Sequence, residues 1–577
     1  MRRVLQATIL AMIVPLAACS EFVSSSSDAP ETRPRSGAVA TAEPHATEVG
    51  ARVLEAGGNA VDAAVAVHFA LAVTYPYAGN LGGGGFMLIA SKDGRVEALD
   101  YRETAPRAAH ETVYQDDLGN VDSDLSLNSL RAAGVPGSVL GMWEAHQRHG
   151  SLTWAELLAP AIKLADEGYV VDALGARLIR EKAERIAEMR ESVRERINFN
   201  EYFHARAGET LIQPELARTL RRIARDGPDD FYRGESAALI AKAMKPAGGW
   251  IDEVDLDEYE TRWRVPVTGE YRGYRIVSMP PPSSGGVALI QMLDLFEHFE
   301  TPPHHSKTHL HLVAEIEKRV FADRTKFMGD PDFFAVPVER LIAPEYLSLR
   351  AEEIHQAERS DPQSIAPGKD IALHESFETT HFSIVDENRM AVSCTTTLNA
   401  AFGSGIVVPG AGFLLNNEMD DFSAKPGVPN LYGVVGGEAN KIEGGKRMLS
   451  SMTPTMVFDE SGALRLLLGS PGGSMIFTTV FQVIVNHLTF GFNLEDAVRD
   501  PRFHHQWPPT DGEGDAIIVE RTPKRKFPPE LLQELEDMGY TIRFRDRIGN
   551  VQAIEIRGET VRAVADDRLG GAALSVP

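Results

Sequence analysis

The sequence predicts an α+β sandwich, with helical layers packed around strands. Three observations predict it. Helical patterns dominate from about residue 136 to 245, and strand patterns dominate after Thr379. No Rossmann signature is present. The Gly-rich "AGNLGGGGFMLIA" is followed by neither Gly-Lys-Ser/Thr nor a helix, but by an apparent strand, Phe86 to Ala90, so close backbone approach explains Gly79 and Gly82 to Gly85. The length, 577 residues, exceeds one small core and suits two domains or one large α/β unit. Hydrophobic residues at 43% and charged residues at 24% are ordinary for a globular chain. A net charge of −24 argues against a nucleic-acid partner and is read as solubility.

The first element is a leader. "MRRVLQATILAMIVPLAACSEF" places Arg2 and Arg3 before an apolar run from Val4 to Ala18, the pattern of a secretory signal peptide over residues 1–18. It is too short and wrongly flanked for a spanning helix. Its end, Leu16-Ala17-Ala18-Cys19, resembles a bacterial lipobox, which implies lipid on Cys19 as the first mature residue. In bacterial lipoproteins Ser rather than Asp at the next position, here Ser20, implies the outer membrane, so the expected location is periplasmic with membrane attachment by the lipid alone. The alternative is an ordinary signal peptide with a Cys at its cleavage site. Residues 19–36, rich in Ser, Pro and charge, read as a flexible tether. With Cys19 lipidated, Cys394 has no intrachain disulfide partner, and in "MAVSCTTTL" it reads as a buried strand cysteine rather than a catalytic thiol.

The body starts near Ala38. "TEVGARVLEAGG" predicts a helix with apolar Val49, Val53 and Leu54, stopped by Gly57-Gly58. "NAVDAAVAVHFALAVT" predicts a more buried helix capped by Asn59. "RLIREKAERIAEMRESVRERI" mixes charges at helical spacing and reads as a solvated face. "YRIVSM" predicts a strand, "PPPSSGG" a turn, and "VALIQMLDLFEHF" and "HSKTHLHLVAEIEKRVFADRTKF" two helices. His304, His305, His309 and His311 gather there; they are read as caps or surface residues rather than a metal site. Beyond Thr379, strands are predicted at "HFSIVD", "MAVSCTTTL", "MTPTMVFD" and "ALRLLLG", a helix at "FTTVFQVIVNHLTF", then strands at "DAIIVE", "TIRFRD", "VQAIEIR" and "TVRAVA".

The chemistry centres on "HESFETTHFSIVD". A threonine hydroxyl is a weak nucleophile and needs an adjacent base. A free α-amine on the same residue serves, with a pKa near ~8, and exists once the preceding peptide bond is cut. The Thr379 hydroxyl can make that cut itself by attacking the Glu378 carbonyl, giving an ester that water opens. "TTTLNAAFGSG" sets Thr397 and Asn399 on one strand face. "LLNNEMDDFS" supplies Glu418 and Asp421, which suit an ammonium. "KRMLSSMTPT" offers the hydroxyls of Ser450 and Ser451. "GSPGGS" offers backbone N–H groups at Gly472 and Gly473 leading into a helix, an oxyanion hole. "LDYRETAP" supplies Arg102, a fork for a carboxylate.

In order, these motifs resemble the γ-glutamyltranspeptidases of the N-terminal-nucleophile hydrolase superfamily. The most specific are "AGNLGGGGFM", "YRETAP", "TTHFSIVD", "TLNAAFGSG", "LLNNEMDDFSAKPGVPN", "LSSMTPT", "GSPGGS" and "PRFHHQW". The resemblance implies a four-layer αββα sandwich formed jointly by two pieces of one precursor, a large one of residues 37–378 and a small catalytic one of 379–577, associated as a heterodimer. It implies Thr379 as nucleophile with its amine as base, and Thr397 tuning it. It implies Asn399, Glu418 and Asp421 on the substrate α-amino group, Arg102, Ser450 and Ser451 on its α-carboxylate, and Gly472 and Gly473 as oxyanion hole. "KPGVPNLYGVVGGEANKIEGGKR" is similar to the family's lid loop, with Tyr432 gating. No metal or cofactor is implied. The expected activity is a self-processing γ-glutamyltransferase and glutathione hydrolase, with amino acids or dipeptides as acceptors. The alternatives are a glutaryl-type β-lactam acylase and an inactive surface-anchored binding protein.

Overall fold

The computed structural model describes residues 36–245, 248–365, 379–425, 436–507 and 515–576. Strand alternation decides its architecture, because successive side chains face opposite sides of a sheet. In Gly84–Ala90, Phe86 and Leu88 face one way and Met87 and Ile89 the other. Phe86 and Leu88 join Ala38, Ala40, Val277, Met456, Leu467 and Ile554 in a core between two sheets. Met87, Ile89, Val39, Phe382 and Ile384 instead pack under a helical layer that includes Ala60–Thr74. On the far side, Ile276, Val457, Leu466 and Leu468 pack under Gly285–Glu297, Lys307–Phe327 and Ile476–Leu488. The layers run helix, sheet, sheet, helix, the expected αββα sandwich.

Each sheet draws on both sides of the Glu378–Thr379 bond. The seven-stranded sheet runs Ala572–Val576, Gly37–Thr41, Thr379–Val385, Ala391–Thr397, Gly84–Ala90, Val96–Asp100, Arg262–Arg264. The six-stranded sheet runs Thr560–Ala565, Gln552–Arg557, Leu464–Gly469, Thr455–Phe458, Tyr274–Ser278, Val267–Tyr271. Neither piece of the chain could therefore complete a sheet alone. The predicted crowding of backbones is present where it matters most. A Cβ on Gly83 would collide with the Thr397 carbonyl, and one on Gly85 with the Thr395 carbonyl. These glycines let the Gly84–Ala90 strand lie in register beside Thr397.

Asn59 caps the Ala60–Thr74 helix in a capping box with Asp62, and all of that helix is buried. The charged "RLIREKAERIAEMRESVRERI" departs from expectation. Its helix, Ala173–Glu188, buries Leu178, Ile179, Lys182 and Ile186, and a separate short turn, Glu191–Arg194, follows. Lys182 Nζ donates to the Gly403 carbonyl at 2.9 Å, a buried lysine rather than a solvated one. Cys394 is buried, 3.1 Å from the Tyr101 hydroxyl, and burial pushes its thiol up to about 12, as a structural cysteine requires. His304 and His305 stack and each place Nε2 3.1 Å from Asp500 Oδ2. They pin the turn before Lys307–Phe327 to the segment after Leu494–Arg499. Among the described residues no helix is long and apolar enough to cross a membrane.

Candidate active site

Thr379 opens a strand whose every residue is buried, and Thr397 closes the next strand directly opposite it. Cross-strand register brings their hydroxyls to 3.5 Å. The Thr397 hydroxyl also accepts the Asn399 backbone N–H at 2.8 Å, so its own proton is directed away from Asn399 and toward other acceptors. Alternation places Thr380 on the opposite face from Thr379, against the helical layer, as expected. His381 shares the Thr379 face, but its ring is held by Thr395 (2.8 Å) and Ser383 (3.1 Å). Burial pushes its pKa down to about 3, leaving a neutral packing residue rather than a base.

A loop folded back from Thr397 brings the acidic groups in. Asn399 takes a left-handed φ of 72° and its amide donates to the Asn417 carbonyl at 2.9 Å. Asn416 donates to the Gly82 and Gly134 carbonyls, both at 2.8 Å, and accepts the Glu418 N–H at 3.0 Å. These bonds fix the 3₁₀ turn Glu418–Asp421 above the strand ends. Ser450 is tied to the turn before Gly285–Glu297, its N–H donating to the Pro282 carbonyl at 2.9 Å. Gly472 and Gly473 have φ of 139° and 54°, values that favour glycine, and turn the chain into the helix Ile476–Leu488. One cleft is lined by Thr379, Thr397, Arg102, Glu418, Asp421, Ser450, Ser451 and Gly473. Gly472 and Asn399 stand one step behind its wall.

The sequence predicts an anionic and a cationic clamp for the two ends of the substrate head. Arg102 is ion-paired through Nη1 to Glu418 and through Nη2 to Asp421, so the two sets of groups are in contact here. The reason is burial: Glu418 is 1% exposed, and a carboxylate so desolvated needs a cation beside it. Burial still pushes the Glu418 carboxyl up. Glu103, fully buried with its carboxylate 3.6 Å from Arg102, is pushed up for the same reason.

Two of these residues were missed from the sequence. Glu103 adjoins Arg102 in "YRETAP" but reads as a surface charge there. Arg324, in the last turn of Lys307–Phe327, also lines the cleft. A basic residue at a helix C-terminus is ordinarily a solvated partner for the dipole, so nothing in its local pattern marked it. Glu378, Tyr432 and Cys19, singled out from the sequence, lie outside the described residues.

Residues 46–576 match the model of the family described as gamma-glutamyltranspeptidase. The glutathione hydrolase proenzyme of Pseudomonas aeruginosa is 48% identical over 546 residues, spanning 94% of this chain and 94% of that protein. The glutathione hydrolase proenzyme of Escherichia coli K12 is 45% identical over 527 residues, spanning 91% and 89%. Among solved structures, the cephalosporin acylase from Bacillus halodurans superposes with a TM-score of 0.81 at 27% identity, over 96% of this chain and 99% of that one. With the αββα sandwich in place and a match over nearly its whole body, the chain belongs to the γ-glutamyltranspeptidase family.

Proposed function

We propose that this protein is a self-processing glutathione hydrolase and γ-glutamyltransferase, cut between Glu378 and Thr379 into pieces of residues 37–378 and 379–577 that stay together. The observation that carries the reading is the hydroxyl of Thr379 at the head of its strand, facing Thr397 at 3.5 Å in a cleft with charges of both signs. The sharing of both sheets between the two pieces supports their remaining associated. The charges suit a zwitterionic glutamyl head, and opposite charges at two points fix which carbonyl meets the hydroxyl.

In the proposed reaction the Thr379 amine takes the hydroxyl proton as the oxygen attacks the γ-amide carbonyl. The oxyanion is met by the Gly472 and Gly473 N–H groups. The amine then passes the proton to the leaving nitrogen, releasing cysteinylglycine from glutathione, and a γ-glutamyl ester remains on Thr379. Water or an amino acid or dipeptide amine attacks that ester. The leader supports export, and Cys19 supports a lipid anchor in the periplasm, at the outer membrane.

The test is a denaturing gel of the wild type beside Thr379→Ala, with amino-terminal sequencing of the small band. The expected result is two bands in wild type, the smaller starting Thr-Thr-His-Phe, and one in the variant. A single band in both after long incubation removes the free amine and the mechanism with it. The acylase reading rests on the likeness to the cephalosporin acylase. It predicts glutaryl anilide turnover above γ-glutamyl anilide turnover, because glutaryl lacks the amine that Glu418 and Asp421 would bind.

A further inference from the structure

His304, His305 and Asp500 take no part in the proposed reaction and do not line the cleft. The two histidines stand in the turn before Lys307–Phe327, and Asp500 follows Leu494–Arg499. His305 takes a φ of 52°, left-handed backbone that residues with a side chain seldom adopt, and its N–H donates to His309 Nδ1 at 3.1 Å. That turn lays the two imidazoles nearly face to face, with ring centroids 3.8 Å apart and planes 24° from each other. Both present Nε2 to Asp500 Oδ2, each at 3.1 Å. Asp500 is fixed independently of them. Asn486 Nδ2 donates to the same carboxylate oxygen at 3.0 Å, and Arg568 Nη2 donates to the Asp500 carbonyl at 2.8 Å. The three ligand-type atoms lie within 4.8 Å of one another.

We propose that His304 Nε2, His305 Nε2 and Asp500 Oδ2 form a site for one zinc-type divalent cation, which ties the two pieces of the precursor together. The site follows from these side chains alone. Its bridging role rests on the cut proposed above, because both histidines belong to the piece of residues 37–378 and Asp500 to that of 379–577. Two imidazoles and a carboxylate are a donor set that Zn2+ takes, with water in the fourth position. Bonds of ~2.0–2.1 Å to a tetrahedral ion put neighbouring ligand atoms roughly 3.3 Å apart. The 3.1 Å spacings therefore need little movement. Hydrogen bonding alone leaves the oxygen crowded, since a carboxylate oxygen offers about two lone-pair sites and three side-chain nitrogens converge on this one. A cation between the imidazoles and the oxygen relieves that crowding. A neutral ring that ligates through Nε2 carries its proton on Nδ1, so a ring that now donates from Nε2 changes tautomer and releases no proton. The His304 and His305 side chains are 21% and 18% exposed and that of Asp500 13%, which leaves a path for an ion. Phe490 and Phe492 meet the His304 ring edge-on at 4.8 and 4.9 Å, and Phe527 stands 4.7 Å from the His305 ring, so both rings are held in orientation by an apolar surround.

The experiment titrates the purified, chelator-treated protein with ZnCl2 by calorimetry and, in parallel, with CoCl2 by visible absorption. Wild type is expected to take up one Zn2+ per chain at this site and to show the visible band of four-coordinate Co2+. Excess CaCl2 or MgCl2 is expected not to displace it, because those ions take oxygen ligands. His304→Gln/His305→Gln is expected to weaken the site by more than about 100-fold, since loss of an outer-shell partner alone costs about 10- to 100-fold. Zinc held elsewhere persists in that variant, so the difference between the two proteins reports this site. Asp500→Asn, whose amide oxygen still accepts from an imidazole, is expected to weaken Zn2+ by at least about 10-fold and is read alone should the double variant fail to fold. Saturating Zn2+ is expected to raise the midpoint of chemical denaturation in the wild type and not in the variants. Equal zinc affinity in wild type and variants, or no cobalt band in wild type, overturns the proposal. A wild type that binds zinc without being cut keeps the site and loses the bridge.

Discussion

At the scale of single residues, the site is governed by what each hydroxyl and carboxyl is held against. Thr397 accepts the Asn399 N–H and lies opposite Thr379, so in the proposed reaction its hydroxyl would orient the Thr379 oxygen. Thr397→Ala is expected to lower kcat by roughly 100-fold, the cost of a misplaced reacting group, while Thr397→Ser restores most of it; steady-state kinetics on the cut protein decide. Glu418 is pushed up by burial, and an ammonium binds the ionised form. KM is therefore expected to rise as pH falls, because protonation removes the charge the substrate needs. Glu418→Gln should flatten that rise, and an unchanged KM–pH profile in the variant would remove Glu418 from ammonium binding.

At the scale of elements, small residues set how closely backbones and sheets approach. Gly469 ends a strand of the six-stranded sheet against the His381 ring of the other sheet, and a Cβ there would strike the ring. Gly469→Ala is expected to cost about 1–3 kcal/mol through overpacking, seen as a lower midpoint in chemical denaturation. Asn59 accepts the Val61 and Asp62 N–H groups at 2.9 and 3.0 Å. Asn59→Ala should cost about 1 kcal/mol without changing KM, since that cap belongs to the helical layer rather than to the cleft. Equal losses of stability and substrate affinity would contradict that separation.

At the scale of the molecule, four of the buried histidines are held neutral most strongly: His68, His309, His381 and His504. Burial pushes their pKa values down to about 4 for His68 and about 3 for the others. An unfolded histidine titrates near ~6.5, so below that pH the unfolded chain binds protons that the folded one does not. Stability is thus full above the unfolded value and is lost as pH falls from there toward 3 to 4. Each histidine can remove up to about 2 kcal/mol at pH 5. The melting temperature is expected to drop between pH 7 and pH 5, and to drop less in His68→Met. The same drop in both would mean that His68 does not contribute.

The sequence by itself determined most of the strands and helices, the strand that Thr379 opens, and the glycine run, because these depend on neighbours in the chain. Alternation put Thr379 and Thr380 on opposite faces, Asn59 announced its helix, and the residues after Gly82 read as close approach before any partner was known. Short or half-exposed strands such as Arg262–Arg264 carried too little pattern to be read. Only the tertiary structure decided which charges meet. Arg102, Glu418 and Asp421 lie more than 300 residues apart in the chain, by separations of 316 and 319, yet share one buried cluster. Arg324, in the last turn of its helix, lines the cleft, which no local pattern announces. Burial is a property of the whole fold, and it is burial that forces charges to find partners.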